Sequence, residues 1–266
     1  MLKAGVSTAC LYPQPTEEAL YDLALGGVTT VELFINTHAE LKRSFVAAMA
    51  DILHRFEVQC SSLHPFTSEI EPMMLFSNYE RRVGDFLEYC RNYFTAMQQL
   101  GATIFVLHGN KQVVGMDIDF YCERFGKLAA LGKSYGVTVA QENVARYTSR
   151  SLAFLQQMQQ KMGNEVKFVL DVKQAVRSKE DPMQMLQTLG RNIVHVHISD
   201  HGEYGDCLPI GAGRFAVKTF LQTLSTISPN CTVMLELYRS GFRTLQDLLH
   251  NYHILQRMIQ NCNKEE

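Results

Sequence analysis

Apolar positions along the chain gather into short runs separated by longer stretches of helical spacing. The runs are residues 2–7, TTVE to Glu32, CSSLH to His64, TIFVLH to His108, VTVAQE to Glu142, VKFVLD to Asp171, IVHVH to His197 and TVMLE to Glu236. Several, such as IFVL, KFVL and TVML, are apolar on both faces, the pattern of parallel strands covered by helices. Between them, Thr16 with Glu17 and Glu18 marks a helix start, and Gly26-Gly27 a helix stop. A second helix is predicted from about Ala39 to Phe56. In a third, Val83, Phe86, Leu87, Cys90, Phe94 and Met97 recur on one face before Gly101. The spacing predicts further helices near 118–135, 149–162, 180–190, 214–227 and 243–262. Strict alternation argues for parallel α/β structure, and eight units with no missing partner favour closure over an open sheet. No GxGxxG accompanies the first strand, where the chain reads GVSTAC, so a dinucleotide-binding sheet is disfavoured. The expected fold is a single (β/α)8 TIM barrel spanning residues 1–266.

Seven of the eight runs finish on a residue that can bind a metal or move a proton, at intervals of 26 to 44 residues. Packing gives an apolar strand no reason to end that way each time. A parallel barrel does, because the carboxyl ends of its strands converge on one mouth where active sites are built. An enzyme is therefore expected. The strongest candidates are Glu142, Asp171, His197 and Glu236, on four successive strands whose neighbours lie ~4.8 Å apart. Three carboxylates and one imidazole suit Mn²⁺, Co²⁺ or Mg²⁺, and zinc also accepts them. One or two could be simple salt-bridged barrel-end residues, but three unpaired carboxylates together would repel one another without a cation.

Other residues have weaker claims. His195 shares a strand face with His197 and is expected to be a hydrogen-bonded interior residue rather than a ligand. His64 and His108 are candidates to bind substrate hydroxyls or a second metal, and Glu32 to orient one of those two or simply to pair with a nearby base. Lys173 could neutralise a substrate oxygen or one of the carboxylates, or be a solvated loop lysine. Gly211-Ala212-Gly213-Arg214 is expected to open the seventh helix as an anion site, with Arg214 contacting a phosphate. The alternative is a tight turn that needs glycine.

Composition narrows the setting. Hydrophobic residues make up 46% and charged residues 20%, enough for a globular core and too mixed for disorder. No apolar run reaches the ~18 residues of a membrane span, and MLKAGVSTAC lacks a signal-peptide profile. The seven cysteines form no CxxC pair, which fits reduced thiols in a cytoplasmic protein. A net charge of −2 advertises no nucleic-acid partner. Homo-oligomerisation is left open.

Taken in order, QEN around Glu142, FVLDVKQ around Asp171, HVHISD around His197, PIGAGRF, and VMLELYR around Glu236 give the chain a resemblance over nearly its whole length. It resembles the xylose isomerase-like barrel superfamily, which includes sugar-phosphate isomerases and epimerases, ketose 3-epimerases and endonuclease IV. The resemblance implies one divalent metal ion on Glu142, Asp171, His197 and Glu236, with Glu142 and Glu236 also forming the catalytic acid/base pair. The implied function is a metal-dependent sugar or sugar-phosphate isomerase or epimerase, moving a proton next to a carbonyl through a metal-bound enediolate. The alternatives are an endonuclease IV-like phosphodiesterase on abasic DNA, an inositol-type dehydratase, and a sugar-binding sensor without turnover. Two departures count against the nuclease. Gln174 stands where the family often has a metal-binding histidine, and the loop GEYGDCLPIG has Asp206 but no histidine after it.

Overall fold

The computed structural model describes residues 1–111 and 115–264. Ten strands occur in them: β1 (Lys3–Ser7), β2 (Thr30–Ile35), β3 (Gln59–Pro65), β4 (Ile104–Leu107), β5 (Thr138–Glu142), β6 (Lys167–Asp171), β7 (Ile193–Ile198), β8 (Asp200–Gly202), β9 (Gly205–Leu208) and β10 (Thr232–Leu235). Eight close into a parallel barrel in the order β1-β10-β7-β6-β5-β4-β3-β2, while β8 and β9 form a separate antiparallel hairpin. The expected TIM barrel is the fold observed.

Strand period two sorts the side chains into an outer and an inner set. Phe105 and Phe168 are fully buried among the surrounding helices, Phe105 packing edge-on against Phe94 of the helix Glu80–Leu100. Their strand neighbours Ile104, Val106 and Val169 turn to the lumen and, with Ala140, form a small apolar cluster of their own. Much of the rest of the lumen is polar. Register places Glu32 opposite Ser62, Asp171 opposite His197, and His195 opposite both Val169 and Thr232. Gly5 faces this interior beside Met234, and a Cβ there would lie 2.5 Å from the Met234 sulfur and 2.6 Å from the Thr30 carbonyl. β1 therefore needs glycine here to lie against the β2 backbone while the Met234 side chain fills the space beside it.

Helix boundaries follow local chemistry. Asp117 caps the helix Ile118–Ser134 through the amides of Asp119 and Phe120, and Gly101 ends the helix Glu80–Leu100 at φ +73°. Three expectations need correction. The segment predicted as one helix from Ala39 divides into a 3₁₀ turn, His38–Leu41, and the helix Arg43–Arg55. The strand predicted to stop at Glu32 continues to Ile35, because LFI extends the apolar run and keeps pairing with β3. The helix expected to open at Gly211 begins at Val217 instead.

Candidate metal centre

Glu142 and Asp171 end β5 and β6, His197 is the penultimate residue of β7, and Glu236 directly follows β10. All four point inward by strand parity, and each offers one ligand atom within 4.8 Å of the others. His197 is the hub. Its Nδ1 lies 3.1 Å from Glu142, 3.3 Å from Glu236 and 3.8 Å from Asp171. Its Nε2 lies 3.1 Å from Glu32 Oε2 on the opposite side. With the Nε2–H given to Glu32, Nδ1 faces the three carboxylates: carrying a proton it donates to Glu142, and without that proton it offers a lone pair to a cation. Asp171 Oδ2 is buried and accepts no hydrogen bond. An imidazole nitrogen converging with three carboxylates, one of them carrying a buried oxygen that accepts no hydrogen bond and whose nearest cation is Lys173 Nζ at 3.3 Å, is a donor set that fits a divalent cation.

Beneath the centre, Glu32 is buried inside the barrel rather than at its mouth, and it meets His195 and His197 instead of the expected His64 or His108. Its Oε2 accepts from Ser62 at 2.9 Å, from His195 at 3.0 Å and from His197. His195 in turn meets Thr232 Oγ1 through Nδ1 at 2.5 Å, so it is held from both sides as an interior residue. A second group lies beside Glu142, where His64 Nε2 is 3.9 Å and His108 Nε2 3.5 Å from Oε2. Glu71 backs this group. It is fully buried, accepts from Thr67 Oγ1 and the Gly109 amide, and lies 3.7 Å from His108 Nδ1. Sequence reasoning missed Glu71 because it sits on the short helix Glu71–Met74 among surface-like residues, off the strand-end pattern.

Local folding fixes the ligands. The Asn143 side chain bonds both the N–H and the C=O of Asp171, tying the end of β5 to that of β6. Asp171 Oδ1 accepts from the Gln174 amide and so caps the helix Val172–Arg177. Gln174, the residue in place of the family's histidine, turns its Oε1 to the Ala145 amide. It is a brace between two loops.

Lys173 is not a solvated loop lysine. Its side chain is 5% exposed, with Nζ 3.3 Å from Asp171 Oδ2 and 3.2 Å from Glu236 Oε2. With Glu236 it lines a cleft of about 450 Å³ whose other walls include Tyr12, Phe34, Asn36, Phe66 and Tyr238. A larger cavity, about 860 Å³, lies by Phe56 and Gly101 at the amino ends of the strands, away from every candidate ligand. The cleft beside Glu236 is the one that meets the chemistry.

Electrostatics divide the carboxylates. Burial pushes the Glu236 carboxyl above its usual range, with Lys173 and His197 opposing. Burial would raise Glu142 too, but the His197 hydrogen bond and the charge of His108 bring it below. Asp171 is also lowered against its burial, chiefly by Lys173. Burial and the neighbouring His108 push His64 down to about 3, whereas the Glu71 carboxylate raises His108 against its own burial. His197 and Lys173 are likewise lifted against burial, each by the carboxylates around it.

The expected phosphate cradle is filled by the protein itself. The amides of Gly211 and Gly213 donate to Asp200 Oδ2, and that of Phe215 to Oδ1. Arg214 is largely exposed and paired with Glu203, outside the groups of convergent side chains. The turn reading of GAGR fits, and the sequence hid this because Asp200 lies eleven residues upstream of the first of those amides. Asp206 is paired with Arg177.

These features define a parallel barrel with a histidine–carboxylate centre, suited to a divalent cation, at the carboxyl ends of its strands. Residues 21–258 match the model of the xylose isomerase-like TIM barrel family, and the chain belongs to that family. An uncharacterised protein of Mycobacterium leprae is 24% identical over 273 residues, covering 92% of this chain and 91% of its own. A D-tagatose 3-epimerase-like protein of known structure superposes with a TM-score of 0.81 at 18% identity, over 99% of each chain. The IolI protein, solved with a bound zinc atom, gives a TM-score of 0.73 at 16% identity, over 98% of this chain and 95% of its own. At these identities the likeness is one of fold.

Proposed function

We propose that the chain is a metal-dependent isomerase or epimerase of a sugar or sugar phosphate. The observation that carries this reading is the convergence of Glu142, Asp171, His197 and Glu236 within 4.8 Å, beside a cleft that Glu236 helps to line. Those four residues would hold the metal, which when bound supplies Lewis-acid polarisation of a substrate carbonyl.

The two glutamates occupy different surroundings. Glu142 lies among His64, His108 and His197, while Glu236 lies beside Lys173 at the cleft. Two carboxylates in contrasting environments suit opposite roles in proton transfer. One removes the proton from the carbon next to the carbonyl, and the other returns it from the opposite face. His64 and His108, beside Glu142, would contact substrate hydroxyls, and the aromatic walls of the cleft would limit water around the reacting carbon.

The test joins metal content to isotope exchange. The protein should hold one divalent ion per chain, and Asp171→Ala should lose most of it. Three ions per chain would favour the phosphodiesterase reading, and undiminished metal in Asp171→Ala would defeat the ligand assignment. A ketose turned over in D₂O should acquire deuterium at the inverted carbon, without loss of water. Glu142→Gln and Glu236→Gln, each shown to retain metal, should lose at least ~100-fold in turnover. Full activity in either metal-loaded variant, or product free of solvent deuterium, would overturn the two-glutamate scheme.

A further inference from the structure

Lys173 sits where a second cation would be unwelcome. Its ammonium bridges Asp171 Oδ2 and Glu236 Oε2, two of the four candidate ligand groups, from a side chain that is almost wholly buried. The third carboxylate of the centre, Glu142, is answered by histidines and not by the lysine. The Tyr238 ring stands 4.9 Å from Nζ, and the same lysine forms part of the wall of the aromatic cleft. The ammonium thus meets both surroundings at once, the carboxylates and the aromatic wall of the cleft, whose Tyr238 ring Arg177 shares at 5.1 Å.

Charge arithmetic gives this placement a consequence. Three carboxylates within 4.8 Å of one another in a buried space repel one another severely, and His197 answers only part of that repulsion. The internal ammonium offsets it on the Asp171 and Glu236 side. The barrel can then hold its mouth together before any metal arrives, and a divalent ion would bring further positive charge to the same pair. The same ammonium opposes the incoming ion, since two cations drawing on the same pair of carboxylates repel one another.

We propose that Lys173 is a tethered counter-cation that shares the carboxylate centre with the metal, supporting the metal-free fold, weakening metal affinity, and moving toward the Tyr238 side of the cleft when the metal binds. This rests on the metal-centre reading above.

The experiment uses the whole chain, stripped with chelator and titrated with Mn²⁺ alone, comparing the wild type with Lys173→Met and Lys173→Arg. Lys173→Met keeps the length and removes the charge. It should bind Mn²⁺ at least ~10-fold more tightly than wild type and melt at a lower temperature in chelator. Lys173→Arg should stay near wild type in both. Equal or weaker Mn²⁺ binding by folded Lys173→Met would overturn the proposal. If Lys173→Met does not fold without metal, reductive methylation of the wild type decides the matter by mass spectrometry. The peptide carrying Lys173 should be modified faster in saturating Mn²⁺ than in chelator, and an unchanged or slower rate would overturn the proposal. A wild-type chain that binds no Mn²⁺ would instead sink the metal-centre reading itself, so the two failures are distinguishable.

Discussion

At the scale of the residue, the centre depends on atoms that never touch a ligand. Glu32 takes the Nε2 side of His197 and thereby aims Nδ1 at the carboxylates, while Ser62 and His195 hold Glu32 in place. Hydrogen-bonded partners of this kind fix a ligating imidazole's tautomer and raise its basicity, and losing one typically costs 10- to 100-fold in metal affinity. Glu32→Gln, which keeps the shape and removes the charge, should therefore weaken Mn²⁺ binding by about that factor while leaving ion stoichiometry unchanged. Equilibrium dialysis against Mn²⁺ checks it, and unaltered affinity would reduce Glu32 to a packing residue. The four principal residues were legible because strand period two and barrel topology dictate where strand ends meet. That Lys173 could answer one of the carboxylates was one reading of the sequence, but its bridging of Asp171 to Glu236 was not legible, and neither was Glu71. Both depend on how a loop or a first helical turn folds back over the mouth, which no periodicity encodes.

At the scale of the element, the β8–β9 hairpin is the part that sequence periodicity could not foresee. Its strands are three and four residues long, half-buried apart from the buried Asp200, and made of polar and small residues apart from Leu208. Two carboxylates define it. Asp200 gathers the amides of the following loop, and Asp206 meets Arg177, whose guanidinium also reaches the Tyr238 hydroxyl. The hydrogen bond from Arg177 holds Asp206 below its usual carboxylate range. A lowered folded-state pKa contributes stability above the unfolded value of about 4, and that contribution is lost as pH falls through the folded value. Both groups are about a third exposed, so the effect should be small and local rather than global. Amide exchange in residues 200–208, corrected for intrinsic rates, should quicken as pH drops below about 4. Arg177→Ala should show the faster exchange already at pH 7 and no such step on acidification. A step that persists in the variant would exclude this pair as its cause.

At the scale of the whole molecule, the barrel divides its interior between a small apolar cluster and a hydrogen-bonded polar array. A polar interior of this kind gains stability from a bound cation, since ions that bind only the folded chain stabilise it by mass action. Mn²⁺ at 100 times its dissociation constant should add about 2.7 kcal/mol, read as a rise in melting temperature over the chelator-treated protein. The same salt should leave Asp171→Ala unmoved, and an equal rise in that variant would place the stabilising ion elsewhere. The eight-unit alternation was plain from the sequence because each unit repeats one strand and at least one helix. The closing seam was not, because how β1 lies there turns on Gly5 leaving room for the β2 backbone and the Met234 side chain.

That seam also orders events during synthesis. Chains emerge from the ribosome amino end first, and elements pair as they become available. Strands β1 to β7 are contiguous neighbours along one edge-to-edge sheet, so they can assemble while translation continues, and with them come Glu142, Asp171 and His197. The keystone is β10, which must slip between β7 and β1 and pairs with residues more than two hundred positions earlier. Glu236 arrives with it. Until that moment the nascent protein is an open, twisted sheet with an incomplete donor set, so any cation that the centre takes would load after translation rather than during it.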